Sequence, residues 1–284
     1  VWGFTIFAAG ALAVFVAWEL HVEQPVVNLR LLRDRGFAVG CALISFMAFI
    51  LFGSLAMWPL YLQNLMGYSA AQSGWASAPR GVATGLSMFL VGRLSQKVDS
   101  RYLMTFGLVL LVYGQWRLSQ FSLEYGWWQI VAPTILQGAG LGFIFTLLST
   151  NALSRVEPAQ MSNAASIYNL TRNLGASFGI AILGTVLIRR GQYHQSVLAA
   201  WSRPYYAPFR DTFAGLAHRL ETVTGHGGTQ YAAALLTGQM RAQATMLAFA
   251  DVFLIAGLLG LAMLAGIWML PKQQPSSGAA SAAH

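Results

Sequence analysis

The chain has 284 residues, 56% of them apolar and only 9% charged, with a formal net charge of +8. A soluble domain carries about 25% charged residues, and a disordered chain needs high charge with low hydrophobicity, so both classes are excluded. What remains is a polytopic membrane protein, in which the 15 arginines and two lysines set orientation rather than form a nucleic-acid surface.

A spanning helix needs about 20 mostly apolar residues, and seven runs meet or approach this. Span A, 1–18, is uncharged. It starts at Val1 with no charged leader, so the chain reads as the C-terminal part of something longer. The connector 19–36 holds an amphipathic stretch, 26–32, that suits a cytoplasmic membrane interface. Span B, 37–60, is uncharged and contains Cys41, whose expected role is a small buried apolar residue. Span C, 74–91, carries Arg80, and span D, 102–121, carries Arg117. Span E, 127–153, is uncharged with Pro133 inside it. Span F, 164–188, carries Arg172, and span G, 242–270, carries Asp251. The segment 189–242 between F and G reads as a long outer loop with weak helical patterning. The tail 271–284, rich in Gln, Ser, Gly and Ala, reads as disordered. The runs are too long and too evenly apolar for barrel strands, so the fold class is all-α.

Orientation follows the basic residues of the connections. Arg30, Arg33, Arg35, Arg93, Lys97, Arg101, Arg155 and Lys272 fall on one side, which is assigned to the cytoplasm. The short loops opposite hold Arg117 alone, although 189–242 adds six arginines to that side.

Ionisable groups at membrane depth cost about 2.5–3.5 kcal/mol on insertion scales and normally face protein or water. Asp251 is the one acid inside a span. It reads either as a proton-coupling carboxylate or as half of an ion pair with a neighbouring helix's arginine. In span C, Ser69, Ser73, Ser77, Arg80, Thr84 and Ser87 recur at helical spacing and share one face. That stripe predicts a wet cavity beside it, with small-residue helix packing as the alternative. Span F repeats the pattern with Ser162, Ser166, Asn169, Asn173 and Ser177, and with Arg172 alongside. Gln137 of span E joins the candidate cavity-lining set. The run Gly138-Ala139-Gly140-Leu141-Gly142 lies inside an apolar helix with no preceding strand, so it reads as helix packing, not as a nucleotide loop. All five histidines fall outside the spans, and neither a metal-ligand motif nor a phosphate loop is present. The sequence therefore predicts no metal, no cofactor and no enzyme.

Several stretches then occur in a telling order. Gln24-Pro25-Val26-Val27-Asn28-Leu29-Arg30 precedes Pro59-Leu60-Tyr61-Leu62-Gln63, Gly67-Tyr68 and Ala78-Pro79-Arg80-Gly81. Gly92-Arg93-Leu94 leads to Asp99-Ser100-Arg101, and Asn169-Leu170-Thr171-Arg172-Asn173-Leu174-Gly175 follows in span F. Together these resemble the major facilitator superfamily, and within it the C-terminal half of 14-span drug:proton antiporters of the EmrB/QacA type. The resemblance covers nearly the whole chain. It departs at Gln96, where the superfamily loop usually has an acid.

The resemblance implies the following. Span A, 1–18, would be a linker helix, and 37–270 a six-helix second transporter bundle that includes the long periplasmic loop 189–242. An N-terminal half in the same chain would complete a cavity lined by Ser73, Ser77, Arg80, Thr84, Ser87, Gln137, Asn169, Arg172 and Asn173. Gly92, Arg93, Asp99 and Arg101 would form a conformational-switch loop, and Asp251 would couple protons. The protein would export drugs or lipophilic toxic compounds across the bacterial inner membrane, in exchange for protons. A periplasmic adaptor and an outer-membrane channel would extend the path. A narrower exporter of a metabolite, sugar or siderophore shares the same fold, and a non-transporting scaffold is the remaining alternative.

Overall fold

The computed structural model describes residues 29–120, 122, 126–154, 156–201, 207–224 and 226–269, together with Gly3, Phe7, Gly10, Ala11, Val14 and Trp18. The expectations for most of span A, the start of the connector, Arg155 and the 271–284 tail lie outside the described residues. Within them there are seven α-helices and no strand. These are α1 (Arg35–Asn64), α2 (Ala70–Leu94), α3 (Ser100–Ser119), α4 (Trp127–Leu153), α5 (Met161–Trp201), α6 (Ala207–Thr224) and α7 (Gly228–Met269). The molecule is an all-α transmembrane bundle, as the composition requires. By length and hydropathy together, α1, α4, the 158–200 stretch containing all but the last residue of α5, and α7 are apolar enough to cross a membrane. The helices α2 and α3 fall outside that group because polar side chains dilute them.

The starts are set by local chemistry. The Asp34 carboxylate accepts the Phe37 amide at 2.8 Å and caps α1. Ser69 and Gln72 form a reciprocal capping box at α2: the Ser69 hydroxyl accepts the Gln72 amide, and the Gln72 side chain accepts the Ser69 amide. Ser69, read as the top of the polar stripe, is thus the cap of its helix. Gly67, at φ +68°, makes the reversal between α1 and α2 in a region that side chains with a Cβ rarely enter.

The packing pairs carry an internal symmetry. The helix α1 packs on α5 and α2 on α4; α3 packs on α4 and α1 on α7; α3 meets α7 and α1 meets α4. Exchanging α1 with α4, α2 with α5 and α3 with α7 maps these pairs onto one another. Two three-helix units of this kind are the repeat architecture of membrane transporters. The pairing of α5 with α7 exceeds that of α2 with α3 because both helices run on together. At 41 and 42 residues each is about 60 Å long, twice the thickness of a hydrocarbon core. The segment expected to be a loop is therefore mostly helix: the end of α5, all of α6, and the start of α7. Amphipathic α6 packs on α7.

Helix crossings are marked by glycine. A Cβ on Gly138 would meet the Arg80 carbonyl of α2, one on Gly140 the Gly107 carbonyl of α3, and one on Gly142 the Thr84 carbonyl of α2. The glycine run is thus the point where α4 touches both neighbours, as expected from small-residue packing.

Candidate functional site

Four helices meet at a chain of buried polar side chains. The Arg80 Nη2 of α2 donates to Gln137 Oε1 of α4 at 2.8 Å. Gln137 Nε2 donates to Gln115 Oε1 of α3 at 3.0 Å. Gln115 Nε2 donates to Ser54 Oγ of α1 at 2.9 Å, and the Ser54 hydroxyl donates to the Ile50 carbonyl at 2.8 Å. All four residues are buried. The chain runs in one direction, from a guanidinium to a backbone carbonyl, each side chain donating to the next. Arg80 receives no carboxylate, and its Nε has no hydrogen-bond partner among the described residues.

The polar face of α2 is turned toward α4. Ser73, Arg80 and Ser87 are buried, and Ser77 and Thr84 are half-buried. The Thr84 hydroxyl bonds the Arg80 carbonyl at 2.9 Å and the Gly138 carbonyl of α4 at 3.0 Å. Ser77 and Ser87 bond carbonyls of their own helix at 2.9 and 2.7 Å. The structure does not set these five residues or Gln137 against open space: all six are buried or half-buried inside the bundle. The exposed face of α2 is apolar, with Trp75, Val82, Leu86 and Phe89.

The polar face of α5 is the one left open. Ser162, Ser166, Asn169, Asn173 and Ser177 are all exposed. The bonds of Ser166, Asn169 and Ser177 go to carbonyls of their own helix. Glycine explains how α5 presents this face: Gly175 and Gly179 press its other side onto the Ser45 and Phe49 carbonyls of α1. Beside the open stripe, Arg172 reaches into a cavity of about 260 Å³ with Met47, Phe52, Met88, Leu141 and Phe145. Its guanidinium carbon stands 5.7 Å from the centre of the Phe145 ring, within cation–π range.

Asp251 is not isolated. Its Oδ2 lies 2.7 Å from His194 Nε2 and 3.5 Å from Arg190 Nε, both on α5. The carboxylate is partly accessible, at 27%. Counted from Met269, it stands about 27 Å along α7.

The 92–101 loop is compact. The Asp99 carboxylate accepts the Arg101 amide at 3.0 Å and caps α3. The Arg93 guanidinium lies over the Phe89 ring of its own helix at 4.4 Å. Gly92 is exposed, with open space where a Cβ would stand.

Sequence reasoning missed Ser54, Gln115, Arg190 and His194. The first two read as single neutral residues in apolar runs, and nothing along the chain pairs them. The last two fall past residue 188, where hydropathy ends but the helix does not. No cluster of three or more metal-ligating side chains is found among the described residues.

A family model described as Major Facilitator Superfamily matches residues 1–180. Multidrug export protein EmrB of Escherichia coli (strain K12) is 29% identical over 282 residues, 99% of this chain and 54% of that protein. Fatty acid resistance protein FarB of Neisseria gonorrhoeae is 28% identical over 273 residues, 96% of this chain and 53% of that protein. Probable multidrug resistance protein EmrY of E. coli (strain K12) is 32% identical over 197 residues, 69% of this chain and 38% of that protein. The chain spans about half the length of the curated relatives EmrB and FarB.

Proposed function

The chain belongs to the major facilitator superfamily, and on that premise we propose that it is the second half of a proton-coupled exporter. Its cargo would be multiple drugs or lipophilic toxic compounds, moved by alternating access across a bacterial inner membrane. The observation that carries the reading is the open polar face of α5 beside the Arg172 cavity. Polar and charged groups at membrane depth need protein or water opposite them. A second bundle, the N-terminal half in the same chain, would supply the facing wall, with substrate held at the interface of the two. Export by EmrB, named as a multidrug export protein, supports the choice of cargo.

In this reading Asn169, Arg172 and Asn173 line the cavity directly. Ser73, Ser77, Arg80, Thr84, Ser87 and Gln137 hold α2 and α4 together behind that wall. Asp251 exchanges protons together with His194, since a carboxylate and an imidazole in direct contact can each take up or release one. The Gly92, Arg93, Asp99 and Arg101 loop bends as the two halves rock. The helices that project past the membrane offer a platform for a periplasmic adaptor leading to an outer-membrane channel.

The test uses full-length protein in liposomes with an imposed pH gradient and a lipophilic fluorescent dye. Wild type should accumulate dye under the gradient. Asp251→Asn and His194→Gln should abolish the gradient dependence while leaving dye binding in place. Gradient-driven uptake at the wild-type rate in both variants would remove the proton role from this pair. Failure to move any dye in a broad panel would contradict multidrug export.

A further inference from the structure

We propose that the cavity around Arg172 selects amphipathic anions, molecules with a compact apolar body and a single anionic head, and discriminates against cations of the same shape. The apolar part follows from the lining: Met47 and Phe52 of α1, Met88 of α2, and Leu141 and Phe145 of α4. Such a surface offers burial and dispersion contact but no hydrogen bond.

The charge preference follows from Arg172. A guanidinium is protonated at every accessible pH. Its neighbour on the cavity wall is the face of Phe145, which stabilises a cation without neutralising it. Its Nε is buried and has no hydrogen-bond partner among the described residues. No ion pair of Arg172 with an acid is found among the described residues. Arg80, which is buried in the bundle, is met by a neutral amide. The bundle thus holds two guanidinium groups, Arg80 buried and Arg172 half-buried at the cavity wall, with no described carboxylate beside them. In a cavity walled mainly by apolar side chains such a field favours an incoming anion and opposes an incoming cation. A guanidinium also presents forked donors that match a carboxylate or sulfonate. The volume, about 260 Å³, suits a single ring or short chain and is far too small for a two-chain lipid. The inference deepens the export reading above but is tested on binding, which does not require transport.

The experiment titrates purified full-length protein, in neutral detergent, with a shape-matched pair: 4-phenylbutyrate and 4-phenylbutylammonium. Binding is followed by calorimetry. The anion should bind at least about tenfold more tightly than the cation. Arg172→Gln should erase that preference, and Arg172→Lys should keep part of it. Leu141→Trp, which fills the cavity and leaves the charge, should weaken both probes, which keeps the test decisive if Arg172→Gln fails to fold. Equal binding of the pair, or a preference for the cation, would overturn the inference; the latter is expected if another part of the full-length protein brings a carboxylate to Arg172. Preference for the anion that survives in Arg172→Gln would also overturn it. Repeating the titration with phosphatidylglycerol in the micelles separates the two sources of such chemistry: unchanged affinity supports a soluble anion, and competitive loss assigns the site to lipid and overturns it. If gradient-driven dye export persists while the anion preference is absent, this inference fails and the export reading stands. Anion preference without any export has the opposite meaning.

Discussion

Arg80 shows how one residue's cost is met by its neighbours. Its guanidinium is held by Gln137, which in turn is held by Gln115 and then Ser54. Removing a middle member strands the polar atoms on both sides. Gln137→Leu should therefore destabilise the folded protein by about 2–4 kcal/mol, seen as a lower unfolding temperature in detergent. Replacing Arg80, Gln137 and Gln115 together by Met should cost less than that single change, because no buried donor is left unpaired. A triple variant less stable than Gln137→Leu would show that the chain contributes more than mutual satisfaction. Arg80, Arg172 and Asp251 were legible in the sequence because a charge in an apolar run needs an explanation. Their partners were not, since Gln115 and Ser54 stand alone on their helices and His194 lies past the hydropathic edge.

At the scale of the helix, glycine sets how closely the elements approach. Gly138 faces the Arg80 carbonyl with no room for a Cβ, whereas Gly81 on the same pair of helices faces open space. Gly138→Val should force α2 from α4 and cost about 1–3 kcal/mol or more. Gly81→Ala should be neutral or stabilising by up to about 1 kcal/mol. Thermal unfolding of the two variants side by side checks both, and equal losses would contradict the packing described here. The bounds of α4 agree with span E, 127–153, because a long uncharged run leaves few alternatives. The end of α5 does not agree with span F. Hydropathy falls at Arg189 and Arg190, but both residues are good helix formers, and the helix continues to Trp201. Hydropathy finds where a helix leaves the membrane, not where it stops.

For the molecule as a whole, the two three-helix units build a bundle with polar groups closed on one side and open on the other. The closed set, on α2, packs against α4; the open set, on α5, is covered by no other described helix. The sequence made both stripes visible by helical spacing, with Ser, Thr and Arg on α2 and Ser and Asn beside Arg172 on α5. It could not distinguish them, because which stripe is covered depends on the neighbour and not on the stripe. The central claim is that the α5 face and the Arg172 cavity meet water between two halves of an exporter. The direct measurement is thiol accessibility in the full-length protein within membranes, with Cys41 and any other cysteines replaced. Single cysteines go at Ser166, Asn173 and Ser177 on α5, and at Leu258 on the exposed apolar face of α7. A membrane-impermeant maleimide should label the three α5 positions, a bound substrate should slow that labelling, and Leu258→Cys should stay unlabelled in lipid. Inert α5 positions, or Leu258→Cys labelled as fast as they are, would contradict the account.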